Sequence, residues 1–139
     1  MSIAEKEIEI VEEFSLFDNW MDKYEHIIEI GKELKSIDEK YRNPEHEVKG
    51  CQSKVWLHSY LKDGKVIYEA DSDAIITKGL IGLLVRVLSD EKPEDIIKNE
   101  LEFIEKIGLK QHLSPNRSNG LVAMIKQMKY YAVALNIKQ

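Results

Sequence analysis

The sequence predicts an α+β fold in which a small antiparallel sheet packs against helices. Apolar residues recur at helical spacing near both ends of the chain, whereas from Lys54 onward the period changes to two for one short stretch. With 139 residues and 43% hydrophobic content, the chain can build a core of its own. We therefore expect a single compact domain over residues 1–139.

The N-terminal part is predicted to form two amphipathic helices. The first covers residues 3–17, and Asp18 is placed to cap the second. Gly31 marks the expected end or loosening of the second helix. The buried stripes of these helices comprise Ile10, Phe14, Phe17, Trp20, Tyr24, Ile27 and Ile28.

The middle of the chain is predicted to form a β-hairpin. Apolar and polar side chains alternate from Val55 to Leu61, as in a half-buried strand. Residues 63–64 are Asp-Gly, which is typical of a type I′ turn, so residues 65–70 return as the second strand. A further short strand is expected at residues 48–50.

The remainder is predicted to be helical. Residues 71–73, Asp-Ser-Asp, offer N-cap oxygens for a helix over residues 74–89. This helix is apolar on nearly every side, and Gly79 and Gly82 permit close backbone approach, so we expect it to be central and buried.

Short helices are then expected at residues 94–99 and 101–107. Ser114-Pro115 is typical of an N-cap followed by proline at the first helical position. The last helix has a buried stripe formed by Leu121, Met124, Ile125, Met128 and Leu135, in which the methionines are expected to fill the core.

The charge pattern excludes some classes of function. A net charge of −5 disfavours a general nucleic-acid binder. Residues 1–50 carry 14 acids and 7 bases, whereas residues 106–139 carry six bases and no acid, an asymmetry that can steer a partner to one face. The longest apolar stretch, residues 80–88, is interrupted by Arg86 and is much shorter than a membrane span, so no membrane association and a cytoplasmic location are expected.

The count of cysteines limits the chemistry. One cysteine excludes an internal disulfide and any all-cysteine metal or iron–sulfur cage within one chain. The four histidines, at positions 26, 46, 58 and 112, have no short ligand spacing. We therefore expect neither a metal nor a cofactor in this chain.

The reactive chemistry is expected at Cys51. Gly50 frees the backbone immediately before it, and Lys49 and Lys54 would favour the thiolate, which is the form that attacks a sulfur–sulfur bond. The alternative is that Cys51 is a small buried hydrophobic residue, which unpaired cysteine usually is.

Four ordered motifs carry a resemblance to a known family. Residues 50–56 read GCQSKVW and resemble the GCQSxVW signature of the SufE family. Residues 20–31 are similar to its W-x-x-K-Y…I-I-x-L-G stretch, with isoleucine in place of leucine at position 30. Residues 71–80 match D-S-D-A…K-G-L, and residues 112–121 resemble H-L-[ST]-P-x-R-x-x-G-L.

The resemblance implies a fold shared with the IscU-type scaffold proteins of iron–sulfur cluster assembly. It implies that Cys51 accepts persulfide sulfur from a cysteine desulfurase (SufS-like or CsdA-like), stimulates that enzyme and passes the sulfur to a scaffold. The chain would be a carrier and activator, not an enzyme. Pyridoxal phosphate would belong to the desulfurase.

Other residues receive supporting roles from the same resemblance. Arg117 is expected on the surface that faces the desulfurase, where a guanidinium can bind a carboxylate through two hydrogen bonds; otherwise it is a solvated residue of the first helical turn. Asp73 is expected to cap the central helix near the cysteine loop, a role that is compatible with restraining that loop. His112, Gly50 and Gln52 would support the loop or contact the partner, and a structural role is the simpler interpretation of His112.

Two other classes of function stay open. A cysteine-dependent hydrolase would need a base aimed at Cys51, for which His46 and His58 are nearest in sequence. A docking module would stimulate the desulfurase without using Cys51. Since a persulfide on an exposed loop would be lost to passing thiols, we also expect Cys51 to turn inward in the free protein and outward when docked. The sequence leaves the oligomeric state open, a homodimer included.

Overall fold

The computed structural model describes residues 1–138, which form two helices, a two-stranded sheet and five further helices. Two 3₁₀ turns, Glu39–Tyr41 and Pro44–His46, precede the sheet. The strands are β1 (Val55–Lys62) and β2 (Lys65–Ser72), and the helices are α1 (Ile3–Phe14), α2 (Trp20–Glu33), α3 (Ile75–Leu88), α4 (Pro93–Lys98), α5 (Phe103–Lys106), α6 (Leu109–His112) and α7 (Pro115–Ile137).

The predicted hairpin is confirmed, and with it the α+β class. β1 and β2 pair antiparallel from Val55 opposite Ser72 to Lys62 opposite Lys65. The turn between them has positive φ at both central residues, 53° at Asp63 and 77° at Gly64, as a type I′ turn requires. The buried side chains of the sheet face the helices, as expected from the alternation.

The close approach of α2 and α3 determines the packing around the sheet. A Cβ atom on Gly79 would lie 2.1 Å from the carbonyl oxygen of Ile27, and one on Gly31 would lie 2.7 Å from the backbone nitrogen of Gly79. Gly31 therefore lies inside α2 as a contact with α3, and the prediction that it ends or loosens the helix is wrong. The prediction that α3 is the central buried helix is confirmed.

The N-terminal helix boundaries differ from the predicted ones. Asn19, not Asp18, is the N-cap of α2, because the Asn19 side chain accepts the backbone N–H of Asp22. The first helix ends at Phe14 instead of residue 17. Its last turn tightens into i→i+3 hydrogen bonds, such as the one from the Phe17 N–H to the Phe14 carbonyl.

The predicted aspartate cap of α3 is wrong. β2 extends to Ser72, two residues beyond the predicted end, and draws Asp71 and Ser72 into the sheet. The N-cap position falls on Ala74, which has no side-chain acceptor. As a result, α3 begins without a side-chain cap.

The short strand predicted at residues 48–50 is also wrong. The Val48 N–H donates to the Val55 carbonyl, and Glu47 forms an isolated bridge with Trp56. The chain then turns away, with φ of 95° at Gly50, so one bridge forms in place of a strand.

The C-terminal helices were predicted in part. The expected helix over residues 101–107 shortens to α5, since Leu101 has a φ of 51° that is incompatible with a helix. α6 was not predicted from the sequence. The start of α7 is confirmed: Ser114 accepts the Arg117 N–H, and proline follows it. Met124 and Met128 are buried core residues, as expected.

The helix contact yields a stability prediction. Gly79→Ala should destabilise the protein by more than about 3 kcal/mol, because the added methyl group meets the backbone of α2. Gly82→Ala is the matched control: its Cβ would lie 3.3 Å from a flexible methyl group of Ile30, and alanine favours a helix by about 1 kcal/mol, so stability should change by less than about 1 kcal/mol. Urea unfolding measures both. Equal effects of the two substitutions would contradict the proposed close approach.

Candidate functional site: a half-buried cysteine in a recess

Cys51 lies in a recess of about 340 Å³ between its own loop and the first turns of α3 and α7. The two helix starts meet the loop because the sheet and the α2–α3 contact hold α3 beneath it. The described residues that line the recess are Cys51, Gln52, Ser53, Ala74, Ile76, Thr77, Leu80, Ser114, Asn116, Arg117, Gly120 and Met124.

The Cys51 thiol is held against α7. Its S–H donates to the carbonyl oxygen of Gly120, with the sulfur 3.6 Å from that oxygen. The side chain is half-buried, and this burial raises the pKa of the Cys51 thiol. The thiol is therefore protonated at neutral pH, and its intrinsic reactivity is low in this position.

The two lysines of the loop do not counter this effect. Lys49 and Lys54 both pair with the carboxylate of Glu47, each at 3.7 Å. The expectation that they favour the thiolate is thus wrong for this conformation, since the pKa of Cys51 moves upward. Glycine is favoured at position 50 for two reasons. Its φ is positive, and a Cβ atom at this position would lie 3.3 Å from the Cβ atom of Ala123.

Asp73 tethers the loop instead of capping α3. Its carboxylate accepts the backbone N–H of Lys54 at 3.0 Å, and its own N–H donates to the Lys54 carbonyl at 3.2 Å. The Ser72 hydroxyl donates to the same carbonyl at 2.8 Å. The end of the cysteine loop is therefore fixed to the junction between β2 and α3.

Arg117 and Gln52 stand at the mouth of the recess. Both side chains are exposed and both line it. The Arg117 guanidinium lies 5.8 Å from the ring centroid of Tyr24, an arrangement that orients the charge without burying it. An anion at the mouth would meet this cation first.

The histidines lie away from the cysteine. The His112 ring donates through Nδ1 to the Gly108 carbonyl at 2.9 Å and stacks on Trp20 at 4.5 Å, which is a structural role. His58 lies on β1 with Tyr41 and His46 beside it, and the His58 and Tyr41 rings stack at 3.6 Å. Among the described residues that line the recess, none is a histidine, so a base for a hydrolase is missing there.

The described part of the chain offers neither a metal cluster nor a membrane span. Within residues 1–138, no group of three or more histidine, cysteine or carboxylate side chains is placed to hold a metal ion. No helix in the same range is long and apolar enough to cross a membrane.

Thr77 and Gly120 are recess residues that received no role in the sequence analysis, although each lies inside a motif already recognised: residues 71–80 and 112–121. Both residues lie near the starts of their helices, α3 and α7. The sequence does not show that these two helix starts converge on Cys51, so it could not identify them.

Residues 8–132 match the family model described as "SufE: Fe-S metabolism associated domain". The chain belongs to the SufE family. Membership places it in iron–sulfur metabolism and confirms the resemblance seen in the four motifs.

Named relatives agree with this assignment. The chain is 40% identical over 131 residues to "SufE-like protein 1, chloroplastic/mitochondrial" of Arabidopsis thaliana, covering 94% of this chain but 35% of the plant protein. It is 36% identical over 126 residues to an uncharacterized SufE-like protein of Rhizobium meliloti (strain 1021), covering 87% of this chain and 90% of that protein. The SufE-type region is thus about a third of the plant relative.

A solved structure supports the fold. The solution structure of a hypothetical protein from Thermus thermophilus superposes with a TM-score of 0.79, covering 95% of this chain and 96% of that chain at 21% identity. At this identity the likeness concerns the fold alone.

The site geometry predicts slow, pH-dependent thiol chemistry. Because burial raises the pKa of Cys51, iodoacetamide should alkylate the folded protein more slowly than the urea-denatured protein. The alkylation rate of the folded protein should also reach its midpoint at a higher pH than that of the denatured protein. Removing a loop tether with Asp73→Ala should speed alkylation by about fivefold, the equivalent of one hydrogen bond.

Asp95→Ala is the control, since Asp95 is a carboxylate of α4 that pairs with Lys98 outside the recess. The sheltered-thiol interpretation fails if folded and denatured wild type are alkylated at the same rate.

Proposed function

We propose that Cys51 accepts a persulfide sulfur from a cysteine desulfurase and passes it on for iron–sulfur cluster assembly. The observation that supports this most is the position of Cys51, the one cysteine of a SufE-family chain, on a tethered loop over a recess with room beyond its sulfur. Membership of the family implies a cysteine desulfurase as the partner.

The transfer is an exchange at sulfur. The Cys51 thiolate attacks the outer sulfur of the persulfide on the desulfurase cysteine. A bond forms between Cys51 Sγ and that outer sulfur, while the bond between the outer and inner sulfurs of the donor breaks. The donor cysteine leaves as a thiolate, the outer sulfur keeps its proton as it moves to Cys51, and no external oxidant or reductant is required.

This exchange needs the loop to move. The conformation described here keeps Cys51 protonated and hydrogen-bonded to Gly120, which suits storage more than attack. Docking would draw the loop outward, where Cys51 gains solvent and its pKa falls. The described contacts that hold the loop are the hydrogen bonds around Lys54, the S–H contact and the long ion pairs of Lys49 and Lys54 with Glu47, so the barrier to this movement is modest.

The partner would supply the remaining chemistry. Pyridoxal phosphate on the desulfurase would generate the persulfide, and a scaffold protein would receive the sulfur from Cys51. The cytoplasmic location remains a prediction, since the plant relative is named for chloroplasts and mitochondria.

Desulfurase turnover tests the proposal against a docking-only activator. Wild type should raise the rate of alanine or sulfide production severalfold, whereas Cys51→Ser should bind but lose the stimulation, because no thiol accepts the sulfur. Calorimetric binding of Cys51→Ser serves as the control for docking. Full stimulation by the serine variant would favour a docking-only activator and would contradict sulfur transfer through Cys51.

Arg117 provides a test of the interface. Arg117→Glu should weaken binding to the desulfurase by about tenfold or more, as reversal of a charge at a partly desolvated contact does. Lys126→Glu reverses an exposed charge nine residues further along α7, on its opposite side, and should leave affinity unchanged. If calorimetry gives the same affinity for the Arg117 variant and wild type, Arg117 does not belong to the interface.

A further inference from the structure

The first turn of α3 brings unpaired donors to the Cys51 recess. α3 is 14 residues long and has no side-chain cap. Within the described part of the chain, the backbone N–H groups of Ile75, Ile76 and Thr77 have no acceptor, and the first helical bond runs from Lys78 to Ala74. Such a turn carries partial positive charge. Ala74, Ile76 and Thr77 all line the recess.

The Thr77 side chain is a second, independent indication that the recess binds a ligand. Thr77 is 8% exposed and lines the same recess. Its hydroxyl makes no hydrogen bond to any residue among those described and is not a fully enclosed atom, so it can donate to a ligand in the recess. A donor group is therefore available at the inner wall, below the cysteine loop.

The charges around the recess have one sign. Arg117, from the first turn of α7, is the charged residue among those that line it, and no carboxylate lines it in the described structure. The nearest carboxylate with a role here, Asp73, is directed to the Lys54 N–H. Lys49 and Lys54 are held by Glu47, and Lys78 lies 3.4 Å from Asp71. The recess therefore favours an anion.

We propose that the recess binds the terminal sulfur of the Cys51 persulfide as an anion, with the Thr77 hydroxyl and the free N–H groups of the α3 start as its hydrogen-bond donors. This inference rests on the proposed function, since it describes the loaded state of the same cysteine. It assigns Thr77 a direct contact with the transferred sulfur.

Loading changes which atom needs a partner. In the free thiol, the S–H donates to the Gly120 carbonyl. Once Sγ is bonded to a second sulfur it has no hydrogen, so this bond is lost and the terminal sulfur carries the charge. A terminal persulfide sulfur is more acidic than a thiol, and at neutral pH it is an acceptor that seeks donors. The carbonyl of Gly120 offers none, whereas the α3 start and Thr77 do.

The recess thus distinguishes the two states of the carrier. It keeps the thiol neutral by burial and keeps the persulfide charged by hydrogen bonds. An anionic terminal sulfur is a poor electrophile, so it resists attack by stray thiols until the loop moves outward and the donors are left behind.

The test titrates the persulfide itself. Cys51 is loaded with inorganic polysulfide, without any desulfurase, and loading is verified by intact mass. The near-ultraviolet absorbance of the persulfide anion is then followed against pH for wild type, Thr77→Val and Thr77→Ser. Loss of one hydrogen bond to the charged sulfur should raise the apparent pKa of the persulfide by about one unit, a tenfold change in its ionisation constant.

Thr77→Val keeps the shape of the side chain and removes the hydroxyl, while Thr77→Ser keeps the hydroxyl. The proposal predicts a shift in the valine variant and a titration close to wild type in the serine variant. It is overturned if valine and wild type titrate alike, or if serine shifts as far as valine. Polysulfide loads Cys51 without the desulfurase. If the desulfurase fails to load Cys51, the proposed function is refuted, but the pKa comparison between the variants still tests the role of Thr77.

Urea unfolding of each variant accompanies the titration. If Thr77→Val does not fold, Thr77→Ala replaces it in the comparison with Thr77→Ser. The apparent pKa of the persulfide should then rise in the alanine variant and stay close to the wild-type value in the serine variant.

Discussion

The packing of α2 against α3 at their glycines is the constraint on which the rest of the structure depends. With Gly79 against the backbone of Ile27, α3 can lie only where it does, under the hairpin and next to the cysteine loop. That position fixes the uncapped start of α3, which forms one wall of the recess. A contact remote from the sulfur therefore determines the environment of the sulfur.

The site reconciles two opposed demands on one thiol. Transfer requires a thiolate that can reach a partner, and storage requires a sulfur that other thiols cannot reach. The described conformation favours storage, through burial, the bond to Gly120 and the tether from Asp73 to Lys54. These contacts are few and local, so a docking partner can offset them without unfolding the core.

Sequence patterns predicted the elements whose signals are local. The hairpin follows from alternation and an Asp-Gly turn, and the start of α7 follows from Ser114-Pro115. The cap of α2 was wrong by one residue, since Asp18 and Asn19 are both good caps and only backbone geometry selects between them. Gly31 was misassigned because its partner is 48 positions away, at Gly79. Thr77 and Gly120 join Cys51 through tertiary packing alone, which no local pattern encodes.

Intact mass spectrometry during desulfurase turnover is the direct test of whether the transferred sulfur resides on Cys51. Wild type should gain one sulfur, ~32 Da, which a thiol reductant should remove as exchange chemistry requires. Peptide mapping should place the gain on Cys51, and Cys51→Ser should gain nothing. A wild-type mass that stays unchanged while the desulfurase consumes cysteine would contradict the account.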